Sequence, residues 1–262
     1  MLDAHVHLER GPYTLDWVWQ FIRQAQHAGL DQIYLLEHSH RFQEFAPLYR
    51  WIRSQDPAVN QYQQEWLHRK LQRRLGEYTD LVRAVRQQDL PIRVDFGLEV
   101  CYFPQEETLI KKLTSDFDWD FLTGAVHWID GWGFDHPQTK ETWRNRDIDR
   151  VYQRYFDLIK QLIQTRLFNH LAHPDSIKCF NHEPGFDLND TYHDVAKIVK
   201  AYDLKVENSA GLHLNYGHAE LGLNRQFLAH LQAAGVSLLT ASDAHRPEDV
   251  GRYIPELAAL HQ

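Results

Sequence analysis

The chain has 262 residues, 43% of them hydrophobic, and a formal net charge of -8. That length suits one domain over 1–262, and the acidic balance argues against a long nucleic acid held on a basic face. No apolar run is long enough to span a bilayer and no basic-then-apolar leader is read at the start, so with two cysteines, Cys101 and Cys179, a cytoplasmic chain without a disulfide framework is expected.

The elements alternate. Leu2 to His7 reads as a strand, and Thr14 as the cap of a helix running through Ala28 to its stop at Gly29. Gln32 to Glu37 is a second strand, followed by a polar stretch from His38 to Asn60. The spacing of Trp66, Leu67, Leu71, Leu75, Leu81, Val82 and Val85 predicts one helix over 61–88, ended by Pro91. Ile92 to Val100 is the third strand, Glu106 to Leu113 a helix, and Phe121 to His127 the fourth strand. A loop rich in Gly and Trp, Ile129-Asp-Gly-Trp-Gly-Phe-Asp-His-Pro137, comes next. Ile148 to Thr165 is a helix and Phe168 to Ala172 the fifth strand. Asp187 to Tyr202 is mainly helix and Leu204 to Asn208 the sixth strand. Arg225 to Ala234 is a helix stopped by Gly235, Val236 to Ala241 the seventh strand, and a last helix closes the chain. Strands alternating with helices imply parallel strands joined by crossovers. The expected fold is α/β, a (β/α)7 TIM-like barrel; an open doubly wound sheet would give a similar pattern.

The 17 histidines are roughly three times the ordinary share, and several sit where strands end. Strand one ends in His5-Val-His7, whose side chains two apart point the same way. The next ends carry Glu37-His38, Glu99, His127, Ala172-His173-Pro-Asp175, Glu207-Asn208 and Ser242-Asp-Ala-His245. In a barrel those ends converge on the active-site face. Each piece has a plain alternative. His38 could bond a backbone carbonyl, Glu99 could pair with an arginine, His127 could be a satisfied core histidine, and Ser242-Asp-Ala-His245 could be a helix cap. The metal reading requires that those alternatives do not all hold together. The ligand set is nitrogen and oxygen, which suits zinc, iron or manganese without choosing among them. Eight ligands, His5, His7, His38, Glu99, His127, His173, Asp243 and His245, exceed what one ion takes, so two or three divalent ions are expected, with Glu99 able to bridge. Such ions acidify water and neutralise phosphoryl oxygens, which makes Glu99, Asp243 and His245 the expected catalytic set. His27, His68, His182, His193, His218, His230 and His261 read as solvated, His170 as facing away from His173, and His40 and His136 as loop residues near the site. Cys101 could line it.

These segments resemble the polymerase and histidinol phosphatase (PHP) superfamily, and within it the histidinol-phosphate phosphatases. The matching stretches are Asp3-Ala-His-Val-His7, Leu36-Glu-His-Ser39, Gly97-Leu-Glu-Val100, Gly124-Ala-Val-His127, Ala172-His173, Glu207-Asn-Ser-Ala-Gly-Leu212 and Ser242-Asp-Ala-His-Arg-Pro-Glu-Asp-Val-Gly251, in order along nearly the whole chain. The resemblance implies a first metal on His5, His7, Glu99 and Asp243, a second on Glu99, His127 and His173, and a third on His38 and His245. It implies hydrolysis of L-histidinol phosphate to L-histidinol and phosphate, late in histidine biosynthesis, on a small-molecule phosphate ester; the acidic balance and the lack of a long apolar run add the expectation of no nucleic acid or membrane partner. The chain departs from the pattern at two places. Where such proteins usually carry a further third-metal histidine it has Tyr13, so that Tyr13 or Glu9 serves or the third site is weak. Where they often carry a phosphate-binding arginine it has His213, with Arg146, Arg144 and Arg246 as alternative phosphate partners. Competing readings are a phosphatase for a nucleotide or phosphopeptide, a C–N hydrolase of amidohydrolase type, and a binding domain without activity. The second expects eight strands and commonly a bridging lysine, where this chain offers Glu99; the third expects lost ligands.

Overall fold

Parallel strands covered on both faces are buried along their length, and two of the barrel strands show it: Gln32–His38 and Arg93–Cys101 are buried along nearly all their length. The computed structural model describes residues 1–261. Seven parallel strands curl into a nearly closed barrel in chain order. They are β1 (Leu2–His7), β2 (Gln32–His38), β3 (Arg93–Cys101), β4 (Phe121–Ala125), β7 (His170–Leu171), β8 (Lys205–Ser209) and β9 (Leu238–Ala241). A small antiparallel hairpin, β5 (Trp128–Ile129) and β6 (Trp132–Gly133), stands apart from it after β4. The helices are α1 (Leu15–His27), α2 (Pro57–Lys70), α3 (Leu75–Arg86), α4 (Glu107–Thr114), α5 (Ile148–Gln164), α6 (Asn189–Tyr202), α7 (Gly211–Tyr216), α8 (Arg225–Ala233) and α9 (Ile254–Ala259). Several bury one apolar stripe. In α5, Val151, Tyr155, Leu158, Ile159 and Leu162 are buried at helical spacing. No helix among the described residues is long and apolar enough to cross a membrane.

The single helix expected over 61–88 is two. α2 starts earlier, at Pro57 behind an Asp56 cap, and ends at Lys70; α3 begins at Leu75. Between them the backbone turns aside, because Arg73 N donates to Arg41 O (3.0 Å) and Gln43 N donates to Arg73 O (2.9 Å). A tertiary bridge there outweighs helix continuation. The polar stretch before it is also ordered. Two 3-10 segments, Ser39–Arg41 and Gln43–Trp51, bury Phe45, Leu48 and Tyr49. The fifth expected strand shrinks to two residues, and the Asn169 side chain takes over a partner's place by accepting from Leu122 N at 2.8 Å.

β1 carries an irregularity that matters to the site. Its pairing with β2 shifts by one residue between Asp3 and Val6. Leu2 and Ala4 pack in the lower barrel with Tyr34, Leu36, Phe121 and Leu239, whereas His5 and His7 reach the cluster of candidate ligands above. The extra residue changes the strand's parity, as a bulge does. β1 and β9 share no regular ladder. Their seam is one bridge, Val6 to Ala244, a hydrogen bond donated by Thr240 Oγ1 to Leu2 O, and the buried carboxylate of Asp3. Asp3 accepts from Ser242 N (2.8 Å), Ser242 Oγ (2.6 Å) and Gly251 N (2.9 Å).

His170 plugs the floor of the barrel. It is buried, its ring lies parallel to Tyr34 and close to Phe121, and Nδ1 has no hydrogen-bond partner. Burial pushes this imidazole down to about 3, with Lys205 adding to the effect. An unfolded histidine titrates near 6.5, so the unfolded chain binds more protons below that pH. Stability therefore falls as pH drops from about 6.5 towards 3, by at most about 1.4 kcal/mol per pH unit from this group. Urea unfolding of the wild type and His170→Phe across that range should show a shallower pH slope in the variant; equal slopes would remove His170 from the acid response.

Candidate metal centre

The carboxyl ends of the barrel strands bring His5, His7, His38, Glu99, His127, His173, Asp243 and His245 together at one end of the barrel. Glu99, on β3 and 1% exposed, is the hub. Its Oε2 lies 2.6 Å from His38 Nδ1, 3.4 Å from His5 Nε2 and 3.5 Å from His7 Nε2. Its Oε1 lies 2.9 Å from His127 Nε2 and 3.2 Å from His173 Nε2. Asp243 Oδ1 stands 3.6 Å from His7 Nε2 and 3.5 Å from His245 Nε2. His173 and Asp243 both have positive φ, 25° and 57°, a conformation that strains side-chain-bearing residues by about 1–3 kcal/mol and clusters at functional sites. Above Asp243 the backbone comes close: a Cβ on Gly211 would lie 2.2 Å from its Oδ2.

Two further carboxylates hold the imidazoles from behind. Glu207 Oε2 is 2.8 Å from His5 Nδ1, and Asp135 Oδ2 is 2.6 Å from His127 Nδ1. Such partners fix the tautomer and ring direction of metal-binding histidines. Glu207 was visible as a strand end, but its partner was not. Asp135 lies in the Gly- and Trp-rich loop, and its contact depends on the β5–β6 hairpin turning back over the site.

The donor set fits cations. When His5 and His127 donate from Nδ1 to those carboxylates, their Nε2 lone pairs face inward. His5 Nε2 then meets His7 Nε2 at 2.9 Å, and His127 Nε2 meets the Glu99 carboxylate. Facing lone pairs repel unless a proton or metal ion lies between them. With protons alone, burial would push the Glu99 carboxyl up, but His38 and His5 hold it well below the usual range. Burial likewise opposes Asp243, yet His245 and His7 hold it well below. His5 is raised against burial by Glu207 and Glu99, and His245 is raised to about 9 against burial by Asp243 and Glu9. His7, by contrast, is lowered by burial and by His38. Buried carboxylates demand positive charge here, and divalent ions supply it more compactly than protonated imidazoles. Groups of three donors within 4.8 Å of one another include His5-His7-Glu99, His7-His38-His245 and His38-Glu99-His127.

A cleft of about 450 Å3 opens over this cluster. Its lining includes Glu9, Arg10, Trp66, Lys70, Trp128 and His136. Larger hollows, of about 950 and 510 Å3, lie on other faces and contain none of the ligand residues. The structure does not bring the expected phosphate contacts to the cleft lining. Arg146 lies over the Trp132 ring at 4.3 Å, in the 950 Å3 groove. Arg246 is mostly exposed, near Glu248, and Arg144 pairs with Glu141 on the surface. His213 Nδ1 bonds His218 O and its ring meets Tyr253. Tyr13 packs against Phe42 and Tyr78. The cationic side chains that do line the cleft are Arg10 and Lys70. His218, read as solvated, is 8% exposed, because it is folded under the α7 turn where its backbone N donates to Leu212 O.

The family described as PHP domain matches residues 3–215. A Deinococcus radiodurans protein named probable histidinol-phosphatase is 28% identical over 257 residues, 96% of this chain and 88% of that one. Two solved structures share the fold. One is a histidinol-phosphatase candidate from Listeria monocytogenes, with TM-score 0.74, 15% identity, and 97% and 98% of the chains covered. The other is histidinol phosphate phosphatase from Lactococcus lactis, solved with zinc, L-histidinol and phosphate, with TM-score 0.69, 15% identity, and 99% and 92% covered.

Proposed function

Since the chain belongs to the PHP domain family, we propose that it is a metal-dependent phosphomonoesterase that hydrolyses L-histidinol phosphate to L-histidinol and phosphate. It acts as a single cytoplasmic domain on a small phosphate ester, in histidine biosynthesis. The observation that carries the reading is the Glu99 carboxylate, with five imidazoles around its two oxygens and Asp243 near two of them. The name of the Deinococcus relative and the ligands of the Lactococcus structure support the substrate.

His5, His7, Glu99 and Asp243 would hold one ion, Glu99, His127 and His173 a second, and His38 and His245 a third, of zinc, iron or manganese. Such ions, when bound, neutralise phosphoryl oxygens and acidify water. The chain's own residues do the rest. Glu207 and Asp135 keep the His5 and His127 rings turned inward. Lys70 and Arg10 stand where a phosphate dianion enters, and give the cleft of an acidic protein a local positive rim. Trp66, Trp128 and His136 offer flat faces to the imidazole ring of the histidinol leaving group, with ring centroids 4.6 Å (Trp66–His136) and 5.0 Å (Trp128–His136) apart.

Asp135→Asn keeps the shape but weakens the hold on the His127 tautomer, so kcat/KM should fall roughly 10- to 100-fold. Unchanged kinetics would mean that the loop carboxylate is incidental. The function itself is tested by phosphate release from L-histidinol phosphate with added manganese, zinc or iron, beside a panel of other monoesters. A strong preference for histidinol phosphate is expected. Equal rates across the panel would discard the substrate, and no release from any ester by metal-loaded protein would discard the chemistry.

A further inference from the structure

We infer that the third metal position of this chain is built by Glu9, His38 and His40, so that His40 is a metal donor. The inference rests on the metallohydrolase reading above and goes beyond it, since that reading leaves this position with His38 and His245 alone. Of the two residues expected to replace the missing histidine, Tyr13 and Glu9, Tyr13 packs into an aromatic cluster with Phe42 and Tyr78 instead.

His40 lies just past β2, in the 3-10 turn Ser39–Arg41. It is 6% exposed, and both of its ring nitrogens are buried without a hydrogen-bond partner. A neutral imidazole carries one donor and one acceptor, and leaving both unmet is unfavourable. Its ring stacks on His38 at 4.4 Å and packs against Trp66 at 4.7 Å. One donor atom each from Glu9, His38 and His40 lies within 4.8 Å of the other two. Glu9 is suited to the part. Its Oε2 is engaged by Lys70 Nζ at 3.1 Å, and its Oε1 faces the histidines, 3.0 Å from His245 Nδ1. A carboxylate anchored on one oxygen and open on the other is a common metal ligand. With His245 the set reaches four nitrogen and oxygen donors, a number that zinc accepts.

Metal counting tests this apart from catalysis. Purified protein is stripped, reloaded with cobalt, dialysed, and its ions per chain measured together with the visible absorption of the cobalt. The wild type should retain three ions per chain, His40→Phe and Glu9→Gln two each, and Tyr13→Phe three. Phe preserves the ring packing against His38 and Trp66, and Glu9→Gln changes one atom, so the two variants check each other for folding. Full occupancy in both variants, or a wild type saturated at two ions, overturns the assignment. A failed phosphatase reading would look different: three ions bound and no phosphate released from any ester.

Discussion

Glu99→Gln should lower kcat/KM on the order of 10^4-fold, a loss of about 5.5 kcal/mol in transition-state stabilisation, and should lower bound metal as well. The variant keeps the shape of the side chain. It removes one negative charge from the hub and turns one oxygen into an N–H donor. That donor must point either at His38, His5 and His7 or at His127 and His173, which are the sides on which cations would sit. Because both oxygens are surrounded, no rotamer places the amide nitrogen harmlessly. The check is paired: metal content by elemental analysis and phosphate release from the same preparation. Activity within tenfold of the wild type would remove Glu99 from the reacting site, and lost activity with full metal content would make it a group that acts on substrate rather than a ligand.

Asp3→Ala is expected to destabilise the fold by roughly 3–5 kcal/mol although Asp3 lies outside the proposed ligand set. Removing the carboxylate strands Ser242 N, Ser242 Oγ and Gly251 N in a sealed seam, and no β1–β9 ladder is there to compensate. Asp3→Asn is milder. Its oxygen can still accept from Ser242 N and its amide can donate to the serine hydroxyl, which leaves Gly251 N unmet at about 1–3 kcal/mol. Denaturant unfolding should rank the three proteins in that order. Asp3→Ala with wild-type stability would show that the seam is held elsewhere.

Much of this was legible in the sequence. The barrel strands could be read because each is a short apolar run ending in a titratable side chain, and because the helices between them carry clean stripes. The convergence of His5, His7, Glu99 and Asp243 followed from barrel geometry. What could not be read depends on contacts across the chain. The split at residues 71–74 follows from a backbone bridge to residues 41–43, which no local pattern encodes. The order within 39–51 comes from Phe42, Phe45 and Leu48 meeting the core at every third residue, a 3-10 spacing. Arg146 looked like a phosphate contact, but its stacking on Trp132 fixes it over another groove. Lys70 and Arg10 carry no local signal in the sequence; α2 and the turn after β1 place them on the cleft.

The seam between β1 and β9 also ties metal to stability. His5 and His7 stand on one side of it, Asp243 and His245 on the other, and Ala244 is the residue that pairs with β1. An ion held as proposed by His5, His7 and Asp243 would span a join that has no regular ladder. Whatever binds the folded chain and not the unfolded one raises its stability, so metal loading should close the barrel more firmly as well as arm the site, and chelation should loosen it at this join first.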